Sequence, residues 1–311
     1  MVRAILSAFR LRRFTASLTW LAAAARLAAA AWLLAAPAPA RAGDGHHIFW
    51  EVKGAHNTVY LLGSVHMLKT ADGVLPAEVL EAYRRSQSLV MELDLAEANA
   101  DALLGTDLAS VLLPEGQTLS KLLDPDLYAT FLAHAKNVGL EAAASERFQP
   151  WFAAILLEQL SLMRDGYEAS AGVDMQLTQS AAADHKPIIA LETAAEQMGY
   201  FARLSLDEQV RFLRFTLRDL DSSDSDPAAV IRAWQRGDVQ ELERLFRQES
   251  ADSPQLMREL TSERNRKWLP RIKALLDDDH DDMVIVGAMH LIGEDGLVAL
   301  LQRQGFHPVQ H

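Results

Sequence analysis

The chain of 311 residues contains no cysteine. No disulfide, thiolate metal site or lipid-modified cysteine can form, and any metal must sit on imidazole and carboxylate. Acids are missing from its first stretch. None precedes Asp44, whereas Arg3, Arg10, Arg12, Arg13, Arg26 and Arg41 lie there around an Ala/Leu/Trp-rich run. Beyond that run no segment has the roughly 18 uninterrupted apolar residues needed to span a bilayer. A glycine-rich phosphate loop is also missing, and so is a Gly-x-Ser-x-Gly elbow. Ser64, between Gly63 and His66, is therefore a weak nucleophile candidate. What is there, 50% hydrophobic and 23% charged residues, is the balance of a globular protein able to bury a core.

Residues 1–42 read as an export signal peptide, with Ala40-Arg41-Ala42 after Pro37 and Pro39 offering cleavage behind Ala42. An uncleaved anchor over residues 14–36 is the alternative. Either way the remainder is expected outside the cytoplasm, periplasmic or secreted, with no stable membrane insertion once the signal is cleaved. Removing the leader's six arginines deepens the net charge from −12 to about −18. Such a chain is repelled by phosphate backbones and anionic lipid, which argues against a nucleic-acid partner.

Residues 48–52 (IFWEV) and 58–62 (TVYLL) are β-branched and aromatic runs separated by Gly54-Ala55-His56-Asn57, the pattern of a hairpin. The second run ends in Gly63-Ser64-Val65-His66, Pro76 opens a helix reaching about Gln87, and residues 88–95 return to strand. Near the C-terminus the grammar repeats. The apolar strand at 283–286 leads into Gly287-Ala288-Met289-His290, a helix from about Gly296 to Arg303, a Gly305 stop and a strand at 307–309. This repetition predicts an α/β fold in which two similar strand–GxxH–helix–strand halves share one mixed central sheet. Both histidines then reach the carboxyl edge, where open α/β sheets place ligands. Between the halves, periodicity predicts helices at 98–111, 125–138, 147–164, 172–184, 206–220, 227–236, 238–249 and 254–276, with a strand at 187–191. The acidic runs 221–226 and 277–282 are expected as solvated loops, neither having EF-hand spacing. The organisation expected is a signal at 1–42 and one domain at 43–311. Segments 43–97 and 281–311 form its halves with 186–192, and a mostly helical insertion forms the rest.

Glycine at the end of a buried strand lets the backbone come close to a ligand, and a histidine three residues on points over the sheet edge. One such histidine alone is more often a hydrogen-bonded core residue; His66 and His290 together point to one site. Glu92 lies in the otherwise apolar run Leu89-Val-Met-Glu-Leu93, where a carboxylate needs a compensating partner. Two imidazoles and a carboxylate form a plausible set for a divalent cation such as Zn, Mn or Co. Asp94, two residues on, could join as ligand or support, or serve as a cap. Glu192 ends the apolar strand at 187–191. Arg264, within Glu263-Arg264-Asn265, could clamp a carboxylate or oxyanion, or lie on a solvated helix face. Asp174 follows Gly172-Val173 at a helix start, as a dipole partner or a shelf facing the pocket.

Taken together, Tyr60-Leu-Leu-Gly-Ser-Val-His66, Leu89-Val-Met-Glu-Leu-Asp94, Gly172-Val-Asp174, Ala190-Leu-Glu-Thr193 with Gln197, Glu263-Arg-Asn265 and Val286-Gly-Ala-Met-His-Leu-Ile-Gly293 resemble the TraB/GumN family, related to the Tiki proteins and to the erythromycin-esterase-like or ChaN-like fold. The resemblance implies a metal-dependent hydrolase site on His66, Glu92 and His290, supported by Glu192 and Arg264, since Tiki relatives are metalloproteases. The expectation is an exported hydrolase of peptide or ester bonds acting on a peptide or small envelope substrate, with Glu92 as ligand or general base. A non-catalytic envelope protein recognising a peptide or polysaccharide in the same cleft is the competing class.

Overall fold

A computed structural model of the chain describes residues 47–95, 111–222, 226–250 and 254–311. The signal peptide assigned to 1–42, the body of the helix expected at 98–111 and the middle of the acidic run 221–226 lie outside the described residues.

Strands β1 (Phe49–Lys53) and β2 (Thr58–Ser64) form the expected hairpin, antiparallel from Phe49↔Leu62 to Lys53↔Thr58. Helix α1 (Ala77–Arg85) follows, then β3 (Ser88–Met91), β4 (Ile188–Ala190), β5 (Asp282–Gly287) and β6 (Val309–Gln310). These make one mixed six-stranded sheet in the order β4-β3-β5-β2-β1-β6. β2 and β3 flank β5 in parallel and β4 continues parallel beside β3. β6 pairs antiparallel with β1, itself antiparallel to β2, so only β1 runs against the rest. All seven residues of β2 and the first five of β5 are buried, which is why both read as apolar runs rather than alternating ones.

The two expected halves are parallel crossover units. β2–α1–β3 passes over β5, and β5 connects through a helix at Leu297–Arg303 to β6, passing over β2 and β1. Their second strands thus end on opposite sides of the β5–β2 pair, and the repeat is closest at the GxxH ends themselves.

The segment between the halves is helical, as periodicity predicts: α2 (Pro125–Asn137), α3 (Pro150–Arg164), α4 (Val173–Asp184), α5 (Ala194–Ala202), α6 (Leu206–Asp221), α7 (Pro227–Gln235), α8 (Val239–Ser250), α9 (Glu263–Leu276), with α10 (Leu297–Arg303) in the second half. Part of it has its own core, in which Leu119, Phe131, Leu157, Leu213 and Leu217 are buried together. α5 was not anticipated by period, yet its start is written in the sequence: Thr193 accepts from the Glu196 N–H while the Glu196 carboxylate takes the Thr193 N–H, a capping box. The helix expected at 254–276 is broken by a π turn over Arg258–Ser262, directly before α9.

The acidic run 277–282 departs from a solvated loop at its end. Asp281 accepts the Thr58 N–H at 2.7 Å, and Asp282 opens β5, buried, accepting from Ser88 Oγ at 2.6 Å. Two of its acids therefore tie strands together. Among the described residues no helix is long and apolar enough to cross a membrane.

Candidate active site

The two GxxH segments meet because Ser64 of β2 pairs in register with Gly287 of β5, so the adjacent parallel strands end together. The start of α4 rises against the first of them. A Cβ on Gly172 would lie 2.1 Å from the His66 carbonyl oxygen, so only glycine permits this approach, and the Val173 N–H donates to Val65 O at 3.0 Å. The approach delivers Asp174, whose carboxylate accepts from Ser64 Oγ and from His66 Nδ1, each at 2.8 Å. The negative charge of Asp174 draws the His66 imidazolium up to about 9 against the opposing effect of burial, with its hydrogen bond and Glu92 adding to the rise. The His66 side chain is 66% exposed, so its Nε2 faces open space.

Glu92 stands just beyond the end of β3, buried among donors. Its Oε1 accepts the Gly287 N–H at 2.7 Å, and its Oε2 accepts from Arg264 Nη2 at 2.6 Å and Gln197 Nε2 at 3.2 Å. Burial alone would raise its pKa. His290, Arg264, His66 and the Gly287 amide more than offset that and hold the carboxyl down to about 2.

Arg264 is the hub. Nε donates to Glu192 Oε2 at 3.0 Å with Nη2 in ion-pair contact at 2.8 Å, Nη2 donates to Glu92, and Nη1 donates to Leu260 O and to His290 Nε2, both at 3.2 Å. The Leu260 carbonyl belongs to the π turn. Every guanidinium nitrogen thus has a partner within the protein. The oxyanion clamp considered from sequence is not free to act as the site stands; Arg264 holds Glu92, Glu192 and His290 in place. Glu192 takes Tyr200 OH on its other oxygen at 2.9 Å.

His290 is buried against Trp268, ring to ring at 4.5 Å. Its Nδ1 lies 2.7 Å from Asn265 Oδ1, while Asn265 Nδ2 donates to the carbonyls of His290 and Asp295. That fixes the amide, so Nδ1 carries the proton and Nε2 is the lone-pair nitrogen. Burial lowers the His290 pKa to about 4, with Arg264 and His66 acting the same way against Glu92, and the ring is neutral at physiological pH.

His66, Glu92 and His290 border one small space over Gly287. A Cβ there would lie 3.4 Å from Glu92 Oε1, 3.7 Å from His290 Cδ2 and 3.8 Å from His66 Nε2. In kind the donors fit a divalent cation: two imidazoles with Nδ1 held by an oxygen, as metal-ligating histidines usually are, and one ionised carboxylate. As placed, no three imidazole or carboxylate groups among the described residues enclose an ion. An ion reaching His290 Nε2 must displace the Arg264 N–H.

Of the residues predicted from sequence, the structure brings Glu92, Glu192, Arg264 and His290 into one hydrogen-bonded group, with His66, bonded to Asp174, beside it over Gly287. Asp94 lies in the loop beyond β3, half-buried, where strand alternation no longer sets its face. Asp174 faces His66 rather than only capping its helix, and Ser64 serves it as a donor. Asn265, Trp268 and Tyr200 were not singled out. Trp268 sits four residues after Arg264 on the same helix, the signal that could have found it.

The chain is 25% identical to the Escherichia coli protein YbaP over 267 residues, covering 83% of this chain and 94% of YbaP. It is 24% identical over 321 residues to Metalloprotease TIKI2 of Xenopus tropicalis, covering 86% of this chain and 60% of that protein. It is also 24% identical over 305 residues to human Metalloprotease TIKI1, covering 81% of this chain and 59% of that protein. The sequence pattern of the TraB/PrgY/gumN family matches residues 48–310, spanning both GxxH ends and every residue of the site, and the chain belongs to that family.

Proposed function

We propose that this protein is an exported metal-dependent hydrolase of peptide or ester bonds. The observation that carries the reading is the convergence of His66 Nε2, His290 and Glu92 Oε1 on the space over Gly287, with Nδ1 of each ring held by an oxygen behind it. The relatives named metalloproteases support it.

His66 Nε2 and Glu92 Oε1 would hold a divalent cation, joined by His290 Nε2 once Arg264 releases it. Such an ion, when bound, polarises a carbonyl and makes water nucleophilic at neutral pH. Asp174 keeps Nε2 of His66 aimed into the cleft and Asn265 does the same for His290. Glu92, held at about 2, is a poor proton acceptor near neutrality and a good anionic ligand, so it serves as ligand rather than general base. Arg264 and Glu192 position it.

Elemental analysis of protein purified without chelator, together with hydrolysis of a peptide library by the parent, His66→Ala and His290→Ala, tests this reading. Bound metal and turnover are expected in the parent and lost in both variants. Turnover that survives both substitutions and chelation would refute it. A second reading, a binding protein for an envelope peptide or glycan, is favoured by the Arg264 N–H on His290 Nε2, which completes the site without an ion. It predicts ligand capture unaffected by metal.

A further inference from the structure

On the far side of Glu192 and Trp268 lies a second cavity, of about 260 Å³. Arg203 and Lys267 line it with Tyr200, whose buried ring they flank at 5.0 and 4.8 Å. Gly199 leaves room for this: a Cβ there would stand 2.9 Å from Arg203 Nη1. In a chain of net charge −12, two cations at one cavity would be expected to find carboxylates. Neither does so among the described residues, although Arg232 and Arg244 pair with Asp226 and Glu241 at 2.7 Å. Glu192 and Glu196, which line the same cavity, are already engaged. Glu192 takes Tyr200 and Arg264, and Glu196 closes the cap of α5 with Thr193. Lys267 Nζ reaches only the Tyr200 hydroxyl, at 3.1 Å.

The two cations are thus left without an ion-pair partner while the lining carboxylates are held elsewhere, and the missing component is an anionic acceptor. The volume equals that of roughly nine waters, room for an amino-acid-sized group but not for a chain of sugars. Leu191 and the Tyr200 and Trp268 rings supply an apolar wall beside the charges. We propose that this cavity binds the carboxylate of an amino-acid-sized ligand, between Arg203 and Lys267. The site does not depend on the hydrolase reading. It is connected to that chemistry, because Lys267, Tyr200, Glu192 and Arg264 form one hydrogen-bonded chain. The carboxylate can come from a free small acid or from the C-terminus of a peptide.

Calorimetry with N-acetyl-L-leucine, its amide, a four-residue peptide as free acid and as amide, and inorganic phosphate tests the proposal without requiring turnover. The free acid is expected to bind at least about tenfold more tightly than the amide, the scale of one charge-assisted hydrogen bond. The Arg203→Gln/Lys267→Gln protein, altered only at exposed side chains, is expected to lose that preference, and Arg203→Lys to retain most of it. A preference shown by the tetrapeptide as well marks the peptide terminus as a source; a preference confined to N-acetyl-L-leucine marks a free acid. Equal binding of acid and amide, undiminished acid binding by the double variant, or binding of phosphate alone overturns the proposal. Loss of hydrolysis with carboxylate binding intact would instead count against the hydrolase.

Discussion

Asp174→Asn is the perturbation whose outcome can be worked furthest. Asparagine keeps an acceptor for one of the two hydrogen bonds that Asp174 takes from Ser64 and His66, and it removes the charge. The His66 imidazolium, drawn from 6.5 up to about 9 chiefly by that charge, should titrate near its ordinary value in the variant. At face value the shift corresponds to about 3 kcal/mol at ~1.36 kcal/mol per unit. The His66 side chain is 66% exposed, however, and solvent screening reduces the share reaching stability to about 1 kcal/mol. The folded pKa is raised, so this contribution is fully present below 6.5 and lost as pH rises through about 9. The variant should therefore melt about 3 °C below the parent at pH 6 and nearly level with it at pH 10. NMR titration of the His66 ring in metal-free protein measures the cause and calorimetry the effect. If His66 still titrates near 9 in the variant, the Asp174 charge is not what holds the proton. The same shift governs metal uptake. A ligand that must first lose a proton makes affinity rise roughly tenfold per pH unit up to that pKa, so the parent's affinity should climb to about pH 9 and the variant's should level off near 6.5.

Three further outcomes are expected. Gly287→Ala places a Cβ at ordinary contact distance, 3.4–3.8 Å, from Glu92, His290 and His66, so its melting temperature should stay level or rise slightly while metal binding and turnover fall steeply; an active variant would remove the space over Gly287 from the site. Glu92→Gln leaves Arg264 with Glu192 alone and should cost about 2 kcal/mol by urea unfolding, losing metal together with activity; retained metal with lost turnover would restore the general-base role. The His290 pKa is depressed from 6.5 to about 4, so neutral His290 supports the fold above 6.5 and that support is lost as pH falls toward 4. Metal-free protein should show an uptake of about one proton on unfolding in that window, absent in His290→Gln, and an unchanged profile would show that burial does not hold the ring neutral.

Much of this architecture was legible in the chain. The repeated Gly-x-x-His ends placed two strands side by side because each motif follows a run apolar on both faces, which only a buried parallel strand requires. Glu92 announced its need for a partner by the cost of its setting, and that partner is Arg264, which the sequence alone left between a carboxylate clamp and a solvated helix face. What local pattern could not supply was pairing at a distance. Asp174 meets His66 across 108 residues and Arg264 meets Glu92 across 172, and an acid at a helix start looks the same whether it caps a dipole or orients an imidazole. The same limit applied to Asp281 and Asp282, whose run reads as solvated until Thr58 and Ser88 are seen opposite. The saturation of Arg264 depends on a π turn, an insertion in helix geometry with no sequence period of its own.

The pairing of β2 with β5 also bears on when the site comes into being. Thr58 finds Asp281 across 223 residues, and closing so long a loop costs on the order of 5 kcal/mol from its length alone before any contact rewards it. Helices folded early in the intervening segment, around the core of Phe131, Leu157 and Leu213, shorten the span that must be closed. His66 and Glu92 are made long before His290, and no fragment ending ahead of β5 contains Gly287. The site as a whole is therefore absent from a nascent chain until β5 pairs with β2.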